Sequence, residues 1–294
     1  MKASGKCRII EANGNGKEFE LDKNNLIFEG KYLNGKKNGF GKEYDKTGEL
    51  IFEGEYLNGK RNGKGKKYNH EGKLTFEGKF LNGKKWDGKA YKKNGKIVYE
   101  LINGKGKVKK YNNNGLLKYE GEYLNGKKNG KGTDYDYTGL KFEGEYLNGK
   151  KHGKGKEYKF INSSYNLVFE GEYSLGKRFG CGKEYNYNGK LEFKGEFLNG
   201  ERWNGKGYNN DEIIEYELKN GCGNVKEYYD NGNLKYEGEY LNGKKNGKGK
   251  EYYNNGNLKY EGEYLNGKKH GKGKKYDNTG KLEFEGEYIN GVRQ

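Results

Sequence analysis

An aromatic residue followed by Glu-Gly returns along this chain at nearly constant intervals, and that recurrence constrains the fold more than any other feature. The register marks are Phe28, Phe52, Phe76, Tyr99, Tyr119, Phe142, Phe169, Phe193, Tyr216, Tyr236, Tyr260 and Phe284, with Lys194 in place of the Glu after Phe193 and Leu in place of the Gly after Tyr99 and Tyr216. Their spacings are 24, 24, 23, 20, 23, 27, 24, 23, 20, 24 and 24. A period of that length belongs to an array of small supersecondary units, each too small to bury a core alone. A second period of 117 residues lies above the first, carrying Phe76 onto Phe193, Trp86 onto Trp203, Tyr99 onto Tyr216 and Tyr119 onto Tyr236. A multi-unit block has been duplicated whole. Residues 28–294 therefore read as about twelve repeats, and residues 1–27 as a degenerate N-terminal repeat or cap, with a worn copy at Ile9–Phe19.

Composition alone argues against order. Only 30% of the 294 residues are hydrophobic, 34% are charged and the mean hydropathy is −1.32, values that ordinarily cannot offset the entropy of folding. The chain is also 15% aromatic, and the rings sit at fixed places in the repeat. An ordered array that buries rings in place of a large aliphatic core reconciles the two.

Within a unit the pattern predicts a β-hairpin. Leu258–Leu265 alternates apolar with polar or small residues, as a half-buried strand does. Asn266–Gly271 reads as the turn, Lys272–Tyr276 as the return strand, and Asp277–Gly280 as the turn into the next unit. Helix is disfavoured by glycine at a cost of about 1 kcal/mol each relative to Ala. The unit beginning at Tyr99 has lost four residues and keeps Asn103-Gly104, a favoured two-residue hairpin turn. The expected fold class is all-β, an elongated, twisted antiparallel sheet of stacked hairpins roughly 110 Å long at two strands per unit.

The pattern aromatic-Glu-Gly-x-aromatic-x-Asn-Gly-x-x-x-Gly-x-Gly, seen at Tyr119–Gly132, Phe142–Gly155 and Tyr260–Gly273, resembles the MORN repeat (membrane occupation and recognition nexus), and the resemblance covers Phe28 to Gly291. The second aromatic, commonly Trp in that family, is Tyr or Phe here. The resemblance implies stacked hairpins with rings packed on neighbouring glycines and no catalytic activity. It also implies scaffold roles: self-association, cradling of a partner segment, or binding of acidic phospholipid.

The sharpest candidate site is a ladder of paired cations after each Asn-Gly: Lys36-Lys37, Lys60-Arg61, Lys84-Lys85, Lys127-Lys128, Lys150-Lys151, Lys177-Arg178, Lys244-Lys245 and Lys268-Lys269. Stacked hairpins would set these pairs at roughly 10 Å intervals, about one Debye length, on a chain of formal net charge +17. Such an edge would meet an acidic membrane at about 1 kcal/mol per cation; turn lysines also serve simply as a solvated, edge-protecting surface. Trp86 and Trp203 are candidate interfacial anchors, or fillers of the notch beside each shortened unit. The repeated rings suit a core better than a stacking platform for nucleic acid, which only the charge supports.

The remaining motifs point away from chemistry. Gly243–Gly249 has no GxxxxGK[ST] and no following helix for a phosphate loop. His70, His152 and His270 lie in separate units, and Cys7, Cys181 and Cys222 form no CxxC, so neither set has metal-ligand spacing. The expectation is a non-enzymatic scaffold without cofactor. Its partner is an acidic membrane surface or a protein segment held on the sheet face, or a second copy paired through the C-terminal edge at Phe284–Gly291. An unpaired cysteine set and no apolar leader in MKASGKCRII give an expected cytoplasmic location, with membrane association through the lysine edge.

Overall fold

The computed structural model of the chain describes residues 2–4, 7–12, 14–20, 25–112 and 114–294, and among these there is strand, turn and no helix. The strands form three antiparallel sheets, each in strict sequence order: ten strands from Lys2 to Leu101, ten from Lys105 to Leu218 and seven from Gly223 to Arg293. By contacts the chain divides into two compact units, residues 1–132 and 133–294. Residue Asn13, part of the worn N-terminal copy, lies outside the described residues.

The hairpin turn is tighter than the sequence suggested. Leu33 pairs with Lys36 across Asn34-Gly35, whose φ values of 50° and 71° are both positive. This is the twist-matched two-residue turn that Asn-Gly favours because both tolerate the left-handed region. The same pair of positive φ values recurs through Asn266-Gly267 and Asn290-Gly291. The segment Asn266–Gly271 is thus only in part a turn. Lys268 opens the return strand Lys268–Tyr276, and His270-Gly271 fall in a bulge, where the register shifts between Gly262 and Tyr264. The 27-residue spacing has its own cause: strands Lys150–Ile161 and Ser164–Ser174 run on past the usual exit turn and close over Asn162-Ser163.

In the first unit, rings alternate along one face. Phe28 meets Tyr32 of its own hairpin at 5.6 Å and Tyr56 of the next at 5.2 Å. Phe52 repeats this with Tyr56 and Phe80. All are edge-to-face, the arrangement the ring quadrupole favours. Gly41 makes it possible, since a Cβ there would overlap the Phe28 ring. The second unit carries the same zigzag through Phe142, Tyr173, Phe169, Phe197 and Phe193, and again from Tyr236 through Tyr264 and Tyr260 to Tyr288.

The sheets break at the two shortened hairpins. Only Ile102 and Lys105 bridge around Asn103-Gly104, and only Lys219 and Cys222 around Asn220-Gly221. The one uninterrupted sheet expected from the repeat is therefore corrected to three. The physical reason lies in the deletion, which removes the second ring of the unit. Leu101 and Val108 then stand where other units have the glycine pair under the ring, and Leu218 and Val225 do so in the second copy; all four are buried. Aliphatic side chains fill the volume, but the paired stretch is too short for a ladder.

Candidate functional site

The sixteen candidate cations separate into two rows with different jobs. Because side chains alternate across a strand, consecutive residues after Asn-Gly face opposite ways. The first of each pair, Lys36, Lys60, Lys84, Lys127, Lys150, Lys177, Lys244 and Lys268, is exposed. The second is half-buried over the first ring of its own hairpin: Lys37 over Phe28 at 4.0 Å, Arg61 over Phe52 at 4.2 Å, Lys85 over Phe76 at 4.4 Å and Lys128 over Tyr119 at 4.5 Å in the first unit. In the second unit Lys151, Arg178, Lys245 and Lys269 cover Phe142, Phe169, Tyr236 and Tyr260 at 3.8–4.4 Å. Such a contact is worth about 0.5–2 kcal/mol according to its desolvation.

Carboxylates complete this inner row. The residue directly opposite the first ring is Glu43, Glu157, Glu184, Glu227 or Glu251 in most units. Lys37 pairs with Glu18 at 3.0 Å and Arg61 with Glu43. In the second unit Lys151 and Arg178 share Glu157 at 2.6 and 2.8 Å, and Arg178 and Arg202 share Glu184. Lys245 and Lys269 share Glu251, each at 3.3 Å. Burial opposes ionisation of Glu157, Glu184 and Glu251, but the flanking cations outweigh it and hold all three below the ordinary carboxylate range. Arg202 and Arg293 belong to the same row, each 5.1 Å over its ring. Neither stands in a cation pair, because Glu201 and Val292 precede them; the signal they share with the row is the position three after the turn Asn, Asn199 and Asn290.

At the outer end of each hairpin a second feature appears. Leu33, Leu57 and Leu81 in the first unit, and Leu147, Leu241 and Leu265 in the second, pair directly with the exposed lysines. These leucines are 39–59% exposed. The tight turn puts them at the rim. The indoles of Trp86 and Trp203 are half-buried, and a Cβ on Gly104 or Gly221, the turn glycines of the shortened hairpins, would stand 2.9 Å from indole carbons. Their backbone carbonyls accept the N–H of those same glycines.

The face away from the rings is organised by Glu and Tyr. The hydroxyl of Tyr44 donates to Glu29 at 2.7 Å, Tyr68 to Glu53, Tyr185 to Glu170, Tyr252 to Glu237 and Tyr276 to Glu261. Burial and the carboxylate beside each phenol push Tyr44, Tyr68 and Tyr185 up to about 12. Between these pairs the glycines leave open grooves, one of about 540 Å³ over Gly16, Gly30 and Gly41 and one of about 500 Å³ over Gly238 and Gly249. His70, His152 and His270 stay in separate repeats, and among the described residues no three His, Cys, Asp or Glu side chains converge as a metal set.

Family models for the MORN repeat match residues 28–49, 52–70, 119–133, 142–160, 169–190, 236–258 and 260–281, and a MORN repeat variant matches 222–242. No curated protein matches the chain. Among solved structures, the crystal structure of TcdB2-TccC3-Cdc42 is 11% identical over 91% of this chain with a TM-score of 0.16. The crystal structure of TcdB2-TccC3 without its hypervariable C-terminal region is 10% identical over 92%, with a TM-score of 0.17. This chain spans 16% and 18% of those chains' lengths.

Proposed function

The chain belongs to the MORN-repeat family, and from that premise we propose that it is a scaffold whose hairpin ends rest on an acidic membrane surface. Repeats of this family are generally non-enzymatic and serve interaction. The observation that carries the finer reading is the pairing of an exposed leucine with an exposed lysine at one hairpin end after another, as at Leu33 with Lys36 and Leu265 with Lys268. A leucine that enters the headgroup boundary gains on the order of 1.5–3 kcal/mol when fully buried, and a lysine beside an anionic leaflet about 1 kcal/mol. Several weak ends acting together give avidity without any single strong contact. The inner cations take no part in this contact, since they lie half-buried over the rings.

Co-sedimentation with phosphatidylcholine vesicles, with and without phosphatidylserine, tests this. Binding that requires the anionic lipid and is lost when Lys36, Lys60, Lys84, Lys244 and Lys268 become Gln is the expected result. Equal binding by that variant, or indifference to lipid charge, overturns it. The grooves over the glycine pairs favour a second reading, a protein segment laid across the face away from the ring zigzag; that binding would survive the hairpin-end lysine changes and fail when the groove-lining Lys42 or Lys250 becomes Glu.

A further inference from the structure

The inner row sets a carboxylate opposite most first rings; Lys275 departs from this opposite Tyr260 and Phe284 but is paired with Glu283 at 2.5 Å, and the other departure lies around Lys85. Lys67 stands opposite Phe52 and Phe76, and Lys110 opposite Tyr119, where the equivalent position of most other units holds a carboxylate. Between them lies Lys85, whose ammonium donates to the Tyr99 hydroxyl at 3.2 Å and covers the Phe76 ring. The duplicate block supplies an internal reference. Shifted by 117 residues, Lys67 becomes Glu184, Thr75 becomes Glu192, Lys85 becomes Arg202 and Lys110 becomes Glu227. There Arg202 donates to Tyr216 at 2.7 Å, as Lys85 does to Tyr99, but it also pairs with Glu184 at 2.5 Å and Glu192 at 3.5 Å. The frame is the same and the charge is inverted: three cations in one copy, one cation among three carboxylates in the other. Lys85 takes part in no ion pair among those of the described residues.

We propose that Lys67, Lys85 and Lys110 form a binding site for a compact oxyanion carrying two negative charges, of the phosphate and phosphomonoester type. The ligand supplies beside Lys85 the negative charge that Glu184 and Glu192 supply beside Arg202 in the second block. Several physical features support that class. Lys67 and Lys85 rise from strands one apart in the sheet, about 10 Å between backbones, so flexible stems converge on a group a few ångström across. An ammonium offers three donors without the planar fork of Arg, which suits a tetrahedral oxyanion held as a point charge. Burial, with Lys67 and Lys110 beside it, pushes Lys85 down to about 7. An anion that restores the proton recovers an interaction the empty site lacks. The exposed lysines at the hairpin ends are not part of this site.

Isothermal titration of the full chain with sodium sulfate and with inorganic phosphate, at ionic strength held constant with chloride, tests the proposal. Sulfate keeps its charge between pH 6 and 8, so its binding tightens as pH falls and Lys85 gains its proton. The double variant Lys67→Glu, Lys110→Glu copies the second block and binds sulfate at least about tenfold more weakly, or 1.4 kcal/mol. Vesicles carrying phosphatidic acid, competed with free phosphate, separate a lipid-borne monoester from a soluble one, and either source must fail with the double variant. Should that variant misfold, amine labelling of the unmutated chain followed by mass spectrometry decides: sulfate protects Lys85 and leaves Lys36 and Lys60 unchanged. Equal sulfate binding by both proteins, no sulfate binding by the wild type, or no protection of Lys85 overturns the site. The vesicle test of the hairpin ends is independent, since its lysines are different ones.

Discussion

The block around Trp86 and the block around Trp203 are copies in shape and opposites in charge. Each sets a half-buried indole on the glycine of a shortened turn, fills the missing ring's place with Leu and Val, and aims one cation at the hydroxyl of the following tyrosine. Around that cation the first copy places Lys67 and Lys110, and the second places Glu184, Glu192 and Glu227. The difference teaches that the shape depends on rings, glycines and turns, while the inner row is free to diverge. In the second copy a cavity of about 140 Å³ is lined by Glu192, Arg202, Tyr208, Lys226, Glu227 and Lys235, so the neutralising charge is built in. Arg202 is held well above its ordinary value by Glu184 and Tyr216 in spite of burial.

Removing the central cation should separate the copies most. Arg202→Met leaves Glu184 with Arg178 alone and takes from Glu192 its ion pair, and is expected to cost up to about 3–5 kcal/mol, as for a broken buried pair. Lys85→Met removes a cation that its surroundings repel and should leave stability unchanged or raised. Amide hydrogen exchange across Glu201–Tyr208 and Lys84–Tyr91 reads the two effects locally, which suits an array that does not unfold as one unit. Equal losses at both sites would erase the contrast.

An effect of intermediate size follows from pH. Lys85 loses its proton near 7 in the fold but near its ordinary value when unfolded, so between those limits the unfolded chain binds more protons and stability rises with pH. Below that window the buried charge is present in full and its cost is constant. Glu184 behaves oppositely in kind. Its folded value is lowered, so its contribution is complete above the ordinary carboxylate range and is lost as pH falls through the lowered value. Exchange protection of the first block should therefore improve from pH 7 towards 10 while that of the second is flat there and fails in acid. A flat profile for Lys84–Tyr91 in the wild type would mean that Lys85 keeps its ordinary affinity for protons.

The smallest expected effect sharpens the comparison by its symmetry. Tyr68 donates to Glu53 at 2.7 Å and Tyr185 to Glu170 at 2.9 Å, the same bond 117 residues apart. Tyr68→Phe and Tyr185→Phe should each cost about 0.5–1.5 kcal/mol, and by equal amounts, since the Tyr–Glu pair is the same in both copies. Unequal losses by hydrogen exchange would show that the difference between the copies reaches through the sheet.

The hairpins and their order were legible because rings, glycines and Asn-Gly dictate strand alternation and turn at every copy. The boundary of the turn was not, because Lys268-Lys269 looks like loop composition, and only the two positive φ values at Asn266-Gly267 reveal that the return strand has begun. The break in the sheets was half legible. The loss of four residues was plain, but not that Leu101 and Val108 would take the ring's volume without restoring the ladder. The candidate site was read as one ladder because Lys36 and Lys37 are equal as letters. Strand alternation separates them, and only cross-strand register shows that Lys67 and Lys110 occupy carboxylate positions.

The two indoles have a practical consequence. They are the chain's only tryptophans, and each lies in the strand just before the shortened hairpin of one block, against that hairpin's turn glycine, Gly104 or Gly221. Red-edge excitation, which tyrosine does not absorb, makes the protein's emission a report on those two places alone. Trp203→Phe then leaves a single optical probe beside Lys85, and Trp86→Phe leaves one beside Arg202. Edge-to-face tyrosine chains such as Tyr236–Tyr264–Tyr260–Tyr288 can pass ultraviolet excitation from ring to ring, so the molecule carries its own labels for following its two copies one at a time.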